Sequence, residues 1–284
     1  MRRLKKLATD TGSVYASCTS GVSCTNLVAR LNAAQVDVSA IFNAYEINAN
    51  ANHLHLLGAC NRGNGDQVII ASLTKKELTD LYSVCMVRAN KPGRHYYDSI
   101  MMLAPLGKCP YCGFGQVSTL DHFLSQAYYP AFSVLSSNLV PACADCNKGK
   151  GSSVVTEDTQ MLHPYFEGAI VETETWLFAE VVQTSPVTVK YFINPPMTWS
   201  SDLSKRVSNH FKELNLAARF EIEAASELVC MSHMLSLLPS DQLRMEHLKL
   251  TMMTESGIRK NSWKTALYQA LVNSQWFQTT GYIT

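Results

Sequence analysis

Hydrophobic and polar positions change rhythm twice along this chain. In "TNLVARLNAAQVDVSAIFNAYEINA", from Thr25 to Ala49, apolar residues recur at mixed spacings of three and four, the period of an amphipathic helix. A second helix is expected in "SLTKKELTDLYSVCMVRA", with Ser72 or Thr74 as N-cap, broken by Pro92 and Gly93. A shorter one in "YYDSIMMLAPLG" should stop near Pro105 and Gly107. Beyond a cysteine-rich stretch the rhythm turns to alternation. "AIVETETWLFAEVV" and "VTVKYFI", separated by "QTSP", predict a hairpin. From Asp202 the helical period returns in one long segment to Leu238, then in "SDQLRMEHLKLTMM" behind the N-cap Ser240, then in "NSWKTALYQALVNSQWF". The last presents Trp263, Leu267, Ala270, Leu271 and Trp276 as a core-facing stripe. The pattern predicts an α+β fold, mostly helical: an N-terminal helical region over residues 1–95, a central module over 96–166, and a β-hairpin with a C-terminal helical region over 167–284.

With 284 residues, 46% hydrophobic and 17% charged, the chain can bury a sizeable core and is not a disordered tail. No apolar run reaches the roughly 18–20 residues of a membrane span, so no membrane partner is expected. The basic start "MRRLKK" has no apolar stretch behind it, which argues against a secretory leader and for a cytoplasmic protein. A formal net charge of +1 gives no global sign of nucleic-acid binding. Phosphate contacts would have to come from local patches, "KKL" near the start, "NKPGRH" at 90–95 and "NKGKG" at 147–151.

The nine cysteines fall into two groups. Cys18, Cys24, Cys60, Cys85 and Cys230 are scattered and odd in number; they are expected to be reduced and mostly buried, a Cys18–Cys24 disulfide being the alternative. Cys109, Cys112, Cys143 and Cys146 form two Cys-x-x-Cys knuckles. Four soft thiolates suit tetrahedral Zn²⁺ in a closed structural site. A redox pair or four unrelated core cysteines would account for the residues but not for two tight knuckles with Gly113 behind the first. The interval between the knuckles exceeds the spacer of a simple zinc ribbon, so something sizeable is inserted.

That insert carries its own chemistry. "VSTLDHFLSQ" predicts a strand ending in Asp121 and His122, "SNLVPAC" a second strand carrying Asn138, and "CADCNKGKGS" a helix or turn bearing Asn147 and Lys150. These residue types suit phosphodiester hydrolysis. The scissile phosphate repels a nucleophile and its alkoxide leaves poorly, and a hard cation eases both problems. Asp121 and Asn147 offer oxygen ligands to Mg²⁺ or Mn²⁺, and His122 can take the proton of the attacking water. Asn138 can orient the loop holding His122 by bonding to backbone. Lys148 and Lys150 are expected in solvent in the free protein, from where they could meet phosphate.

In these residues the stretch resembles the HNH branch of the His-Me finger (ββα-metal) endonucleases, in the form with a Cys₄ treble-clef zinc site. Asp121 and His122, then Asn138, then Asn147 match its pattern in order, inside two Cys-x-x-Cys pairs. The departure is Asn147, where His is commoner; the HNH domain of the CRISPR RNA-guided nuclease also closes on Asn followed two residues later by Lys. The resemblance covers about 50 residues. It implies a metal-dependent DNA endonuclease embedded between the helical flanks. The words "YYDSIMMLAPLGKCPYCG" and "HPYF" are similar to bacterial HNH proteins of anti-phage defence, including nuclease subunits of Septu-like systems and retrons, which implies an ATPase partner subunit. Two other readings stay open: a non-catalytic treble-clef module that binds nucleic acid or protein, and an RNase or tRNA-directed toxin using the same residues. His163 is expected to pack beside the site, the alternative being that it supplies the imidazole missing at Asn147. His53 and His55 read as ordinary, and Tyr96 and Tyr97 as core.

Overall fold

The computed structural model describes residues 1–283. It is α+β, with two compact units: residues 2–167, and Gly168–Thr284 together with Met1. The helices of the N-terminal half and the cysteine region thus lie in the same unit.

The first unit opens with α1 (Thr11–Ser20), α2 (Thr25–Ala33) and α3 (Gln35–Asn50). The long helix expected from Thr25 is interrupted at Ala34, whose ψ of 0° ends one helix and begins the next. On α3 the buried residues are Val38, Phe42, Tyr45 and Ala49, one stripe at spacings of four, three and four. A two-stranded ribbon, β1 (Val68–Ile70) with β2 (Leu73–Thr74), leads into α4 (Lys75–Asp80). Thr74 caps that helix in a capping box with Glu77, after which a π-helical turn runs over Leu81–Met86. Next comes α5 (Arg94–Met101), beginning directly behind Gly93. Strands β3 (Thr119–His122) and β4 (Leu139–Ala142) pair antiparallel, His122 opposite Leu139 and Thr119 opposite Ala142, and α6 (Ala144–Lys150) follows at once. Asn138 is not in the strand as expected; it closes a 3-10 turn over Ser136–Asn138 just ahead of it.

The second unit begins with the short α7 (Ile170–Thr173), then the hairpin of β5 (Leu177–Val182) and β6 (Thr188–Ile193). On β6 Val189 and Tyr191 are buried while Thr188, Lys190 and Phe192 are exposed, the alternation of a half-buried strand. Around it stand α8 (Ser201–Glu213), α9 (Leu216–Leu237), α10 (Asp241–Ile258), α11 (Trp263–Asn273) and α12 (Gln275–Thr279). The long helix expected from Asp202 breaks at Asn215, which takes the left-handed conformation at φ 47° that asparagine tolerates better than most residues. Ser240 and Ser262 cap α10 and α11. Of the stripe expected on α11, Leu267, Ala270 and Leu271 are buried, whereas Trp263 and Trp276 are half-buried.

No helix among the described residues is long and apolar enough to cross a membrane. Of the five scattered cysteines only Cys18 and Cys85 are buried; Cys24 and Cys230 are exposed. Burial is therefore not the rule for them, and Cys18 and Cys24 are free thiols rather than a disulfide.

Candidate metal centre and the Asp121–His122 site

The two knuckles meet. The sulfurs of Cys109, Cys112, Cys143 and Cys146 all lie within 4.8 Å of one another, and all four residues are buried. Four thiolates around Zn²⁺ at about 2.3 Å would stand about 3.8 Å apart. The Cys112 and Cys143 sulfurs are 3.9 Å apart. Backbone amides face the sulfurs as well: the Gly115 N–H donates to Cys112 Sγ at 3.3 Å and the Cys146 N–H to Cys143 Sγ at 3.5 Å. Glycine is required in the first knuckle for two reasons. Gly113 sits at φ +84°, and a Cβ on Gly115 would stand 2.8 Å from the Cys143 sulfur. Hydrogen bonding from Cys109 pulls the Cys112 and Cys143 thiols down, while bonding among the sulfurs pushes Cys109 and Cys146 up. The cluster fits a soft metal ion such as zinc.

The second centre is built on β3. Asp121 is 3% exposed. Its Oδ2 accepts a hydrogen bond from the Tyr111 hydroxyl at 2.8 Å and faces the Lys150 ammonium at 3.2 Å; Oδ1 has no hydrogen-bond partner among the described residues. Burial raises the carboxyl's pKa, and Lys150 and Tyr111 pull it back. Lys150 is not the solvated lysine expected. Its side chain is 10% exposed, and its Nζ also donates to the carbonyls of His122 at 2.6 Å and Phe123 at 2.8 Å. Lys148 is exposed.

His122 is half-buried, with the Tyr82 ring edge-on at 4.4 Å between centroids. Its Nε2 lies 2.9 Å from the Ser133 carbonyl. A carbonyl only accepts, so Nε2 carries the proton and Nδ1 the lone pair. Burial pushes the imidazole down to about 4, against the Ser133 carbonyl, which favours the protonated ring. At neutral pH the ring is a free base.

Asn138, wholly buried, ties down the loop after His122. Its Oδ1 accepts from the Leu124 N–H at 2.7 Å and the Tyr45 hydroxyl at 3.1 Å; its Nδ2 donates to the carbonyls of Leu124 at 3.1 Å and Phe132 at 3.2 Å. His163 continues the chain. Its Nδ1 accepts from the Tyr165 N–H at 3.2 Å, so Nε2 carries the proton and donates to Tyr45 at 3.1 Å, while the ring stacks on Phe123 at 4.0 Å. Both nitrogens are occupied, and the packing role expected for His163 accounts for all of its contacts named here.

The structure thus gathers Asp121, His122, Asn138 and Lys150 around the end of β3. Asn147 stands one turn before Lys150 on the same face of α6, half-buried and with no side-chain hydrogen bond among the described residues. Sequence reasoning missed Tyr111, Tyr82 and Tyr45. Tyr111 could have been found, since it sits inside the first Cys-x-x-Cys. Tyr45 and Tyr82 come from helices with no local signal tying them to the site.

By fold and site this is an α+β protein in which a four-cysteine cluster adjoins a strand–strand–helix unit with a buried acid and a neutral histidine. The chain belongs to the family of protein ea31 of Escherichia phage lambda, to which it is 35% identical over 226 residues, covering 74% of this chain and 76% of that one. No family model and no solved structure matches it.

Proposed function

We propose that this chain is a metal-dependent HNH endonuclease that hydrolyses DNA phosphodiester bonds. The observation that carries the reading is the His122 imidazole: neutral, its Nε2–H anchored on the Ser133 carbonyl, its Nδ1 lone pair free, and its neighbour Asp121 a buried carboxylate with an open oxygen. A hard divalent ion, Mg²⁺ or Mn²⁺, would be held by Asp121 and Asn147 and would supply charge neutralisation at the phosphate. The other work falls to the protein. His122 Nδ1 takes the proton of the attacking water. The Ser133 carbonyl holds the ring in the tautomer that can do so. Asn138 and Lys150 fix the backbone that follows His122. Lys148, exposed on α6, would meet nucleic-acid phosphate. Resemblance to defence nucleases supports an ATPase partner subunit and an antiviral setting.

Incubation with plasmid, single-stranded DNA and total RNA, each with Mg²⁺ or Mn²⁺, tests the reading. We expect DNA cleavage that falls by at least about a hundredfold in His122→Ala, with fold and zinc content unchanged. Wild-type cleavage by that variant would end the mechanism, and cleavage of RNA alone would move the substrate class. A second reading is a non-catalytic zinc module that binds nucleic acid or protein. What favours it is that Asp121 already has Lys150 and Tyr111 as partners. It requires no cleavage of any of the three substrates.

A further inference from the structure

The Lys150 ammonium lies against the buried carboxylate of Asp121. It lies 3.2 Å from Asp121 Oδ2, in a site where the carboxylate is 3% exposed and the lysine side chain 10%. It is held there by two further acceptors, the carbonyls of His122 and Phe123. A buried carboxylate without a cation is costly, and this one has been given an internal cation by the helix that follows the second knuckle. The same three oxygens form a cradle for positive charge, and Asp121 Oδ1 keeps its lone pairs open.

We propose that Lys150 is a built-in competitor of the divalent metal: its ammonium already balances the Asp121 carboxylate and its charge opposes a second cation there, so Lys150 keeps the free protein's affinity for metal low. This rests on the reading of Asp121 as a hard-metal ligand. No proton moves in the exchange. The ammonium keeps its charge and its bonds to the two carbonyls, gives up the carboxylate, and turns its third N–H towards the phosphate that arrives with the metal. Stable occupancy by metal then needs a phosphate to receive the displaced charge, so metal and nucleic acid bind with positive coupling.

The test is a Mn²⁺ titration of the full chain without nucleic acid, read by the loss of the free-ion paramagnetic signal, in alkaline buffer. Lys150→Met and Lys150→Gln should bind Mn²⁺ about tenfold or more tightly than the wild type, because a unit positive charge next to the ion has been removed. Lys150→Arg, which keeps the charge, should stay weak. Asp121→Asn should abolish the gain in the Lys150→Gln background. Gln keeps hydrogen-bond donors for the two carbonyls, so a Met variant that fails to fold leaves the Gln variant to decide. Unchanged or weaker Mn²⁺ affinity in Lys150→Gln, with binding still dependent on Asp121, overturns the competition and leaves the nuclease reading standing. Tighter binding in a protein that cuts nothing supports the competition and sinks the nuclease reading. Mn²⁺ binding independent of Asp121 in every variant overturns both.

Discussion

The two charged centres of the first unit answer the same problem in opposite ways. Four sulfurs are brought within 4.8 Å of one another, all on buried residues. A few residues along, the single carboxylate of Asp121 is buried with a lysine, a tyrosine hydroxyl and an open oxygen. Thiolates so close cannot all ionise without a cation among them, so the sulfur centre fits a metal ion. The oxygen centre is already neutralised by the protein. Removing metal should therefore unfold around the first and leave the second standing.

The largest effect should come from the sulfur side. Cys143→Ser removes a ligand and the cap of α6 together. We expect loss of bound zinc and of the cooperative melting of residues 2–167, a destabilisation on the order of 5 kcal/mol or more, since structural zinc binding is folding free energy. Zinc content and thermal unfolding check it. A variant that melts like the wild type would erase the contrast between the centres. Stripping only hard cations from the wild type, by contrast, should shift its melting little.

Next in size is Asn138→Ala. It strands the Leu124 N–H and two carbonyls in a buried place, for which about 3 kcal/mol is expected. The matched control is Asn261→Ala in the second unit. Asn261 is 4% exposed, its Oδ1 accepts from the Trp176 and Leu177 N–H groups, and its Nδ2 donates to the Val171 and Glu174 carbonyls. Both variants should lose comparable stability in chemical denaturation, but only Asn138→Ala should also lose cleavage rate, because only its loop carries His122. Equal rate losses would make Asn138 a fold residue and no more.

The asparagine pair also marks how far the sequence could be read. Asn138 stood out because it falls between an Asp-His and a Cys-x-x-Cys, and Asn261 makes the same kind of contacts with no pattern around it. Strand β3, helix α6, the hairpin and the caps Thr74 and Ser240 were legible because each depends on neighbours in sequence: alternation, turn residues, a hydroxyl before an acid. The breaks at Ala34 and Asn215 were not, since apolar periodicity runs straight through them. Lys150 was misread for a related reason. Nothing local distinguishes it from Lys148; only the packing of α6 against β3 carries one ammonium to Asp121 and leaves the other in water.

The smallest effect concerns His163, and it separates the support of the oxygen centre from the centre itself. Burial drives its imidazole pKa well below 6.5, with the Lys150 and Lys6 charges adding to the shift. In the folded chain the ring stays neutral, while in the unfolded chain it titrates near 6.5. Above that pH the two states bind the same protons there and no stability is at stake. As pH falls below it, the unfolded state takes up a proton that the folded state refuses, so stability drops by up to about 1.4 kcal/mol per pH unit. His163→Gln cannot take up that proton, so it should remove this part of the slope, at a constant cost from the lost stacking on Phe123. Denaturation midpoints between mildly acid and neutral pH measure the difference. An unchanged slope in the variant would mean that the acid sensitivity belongs to another group.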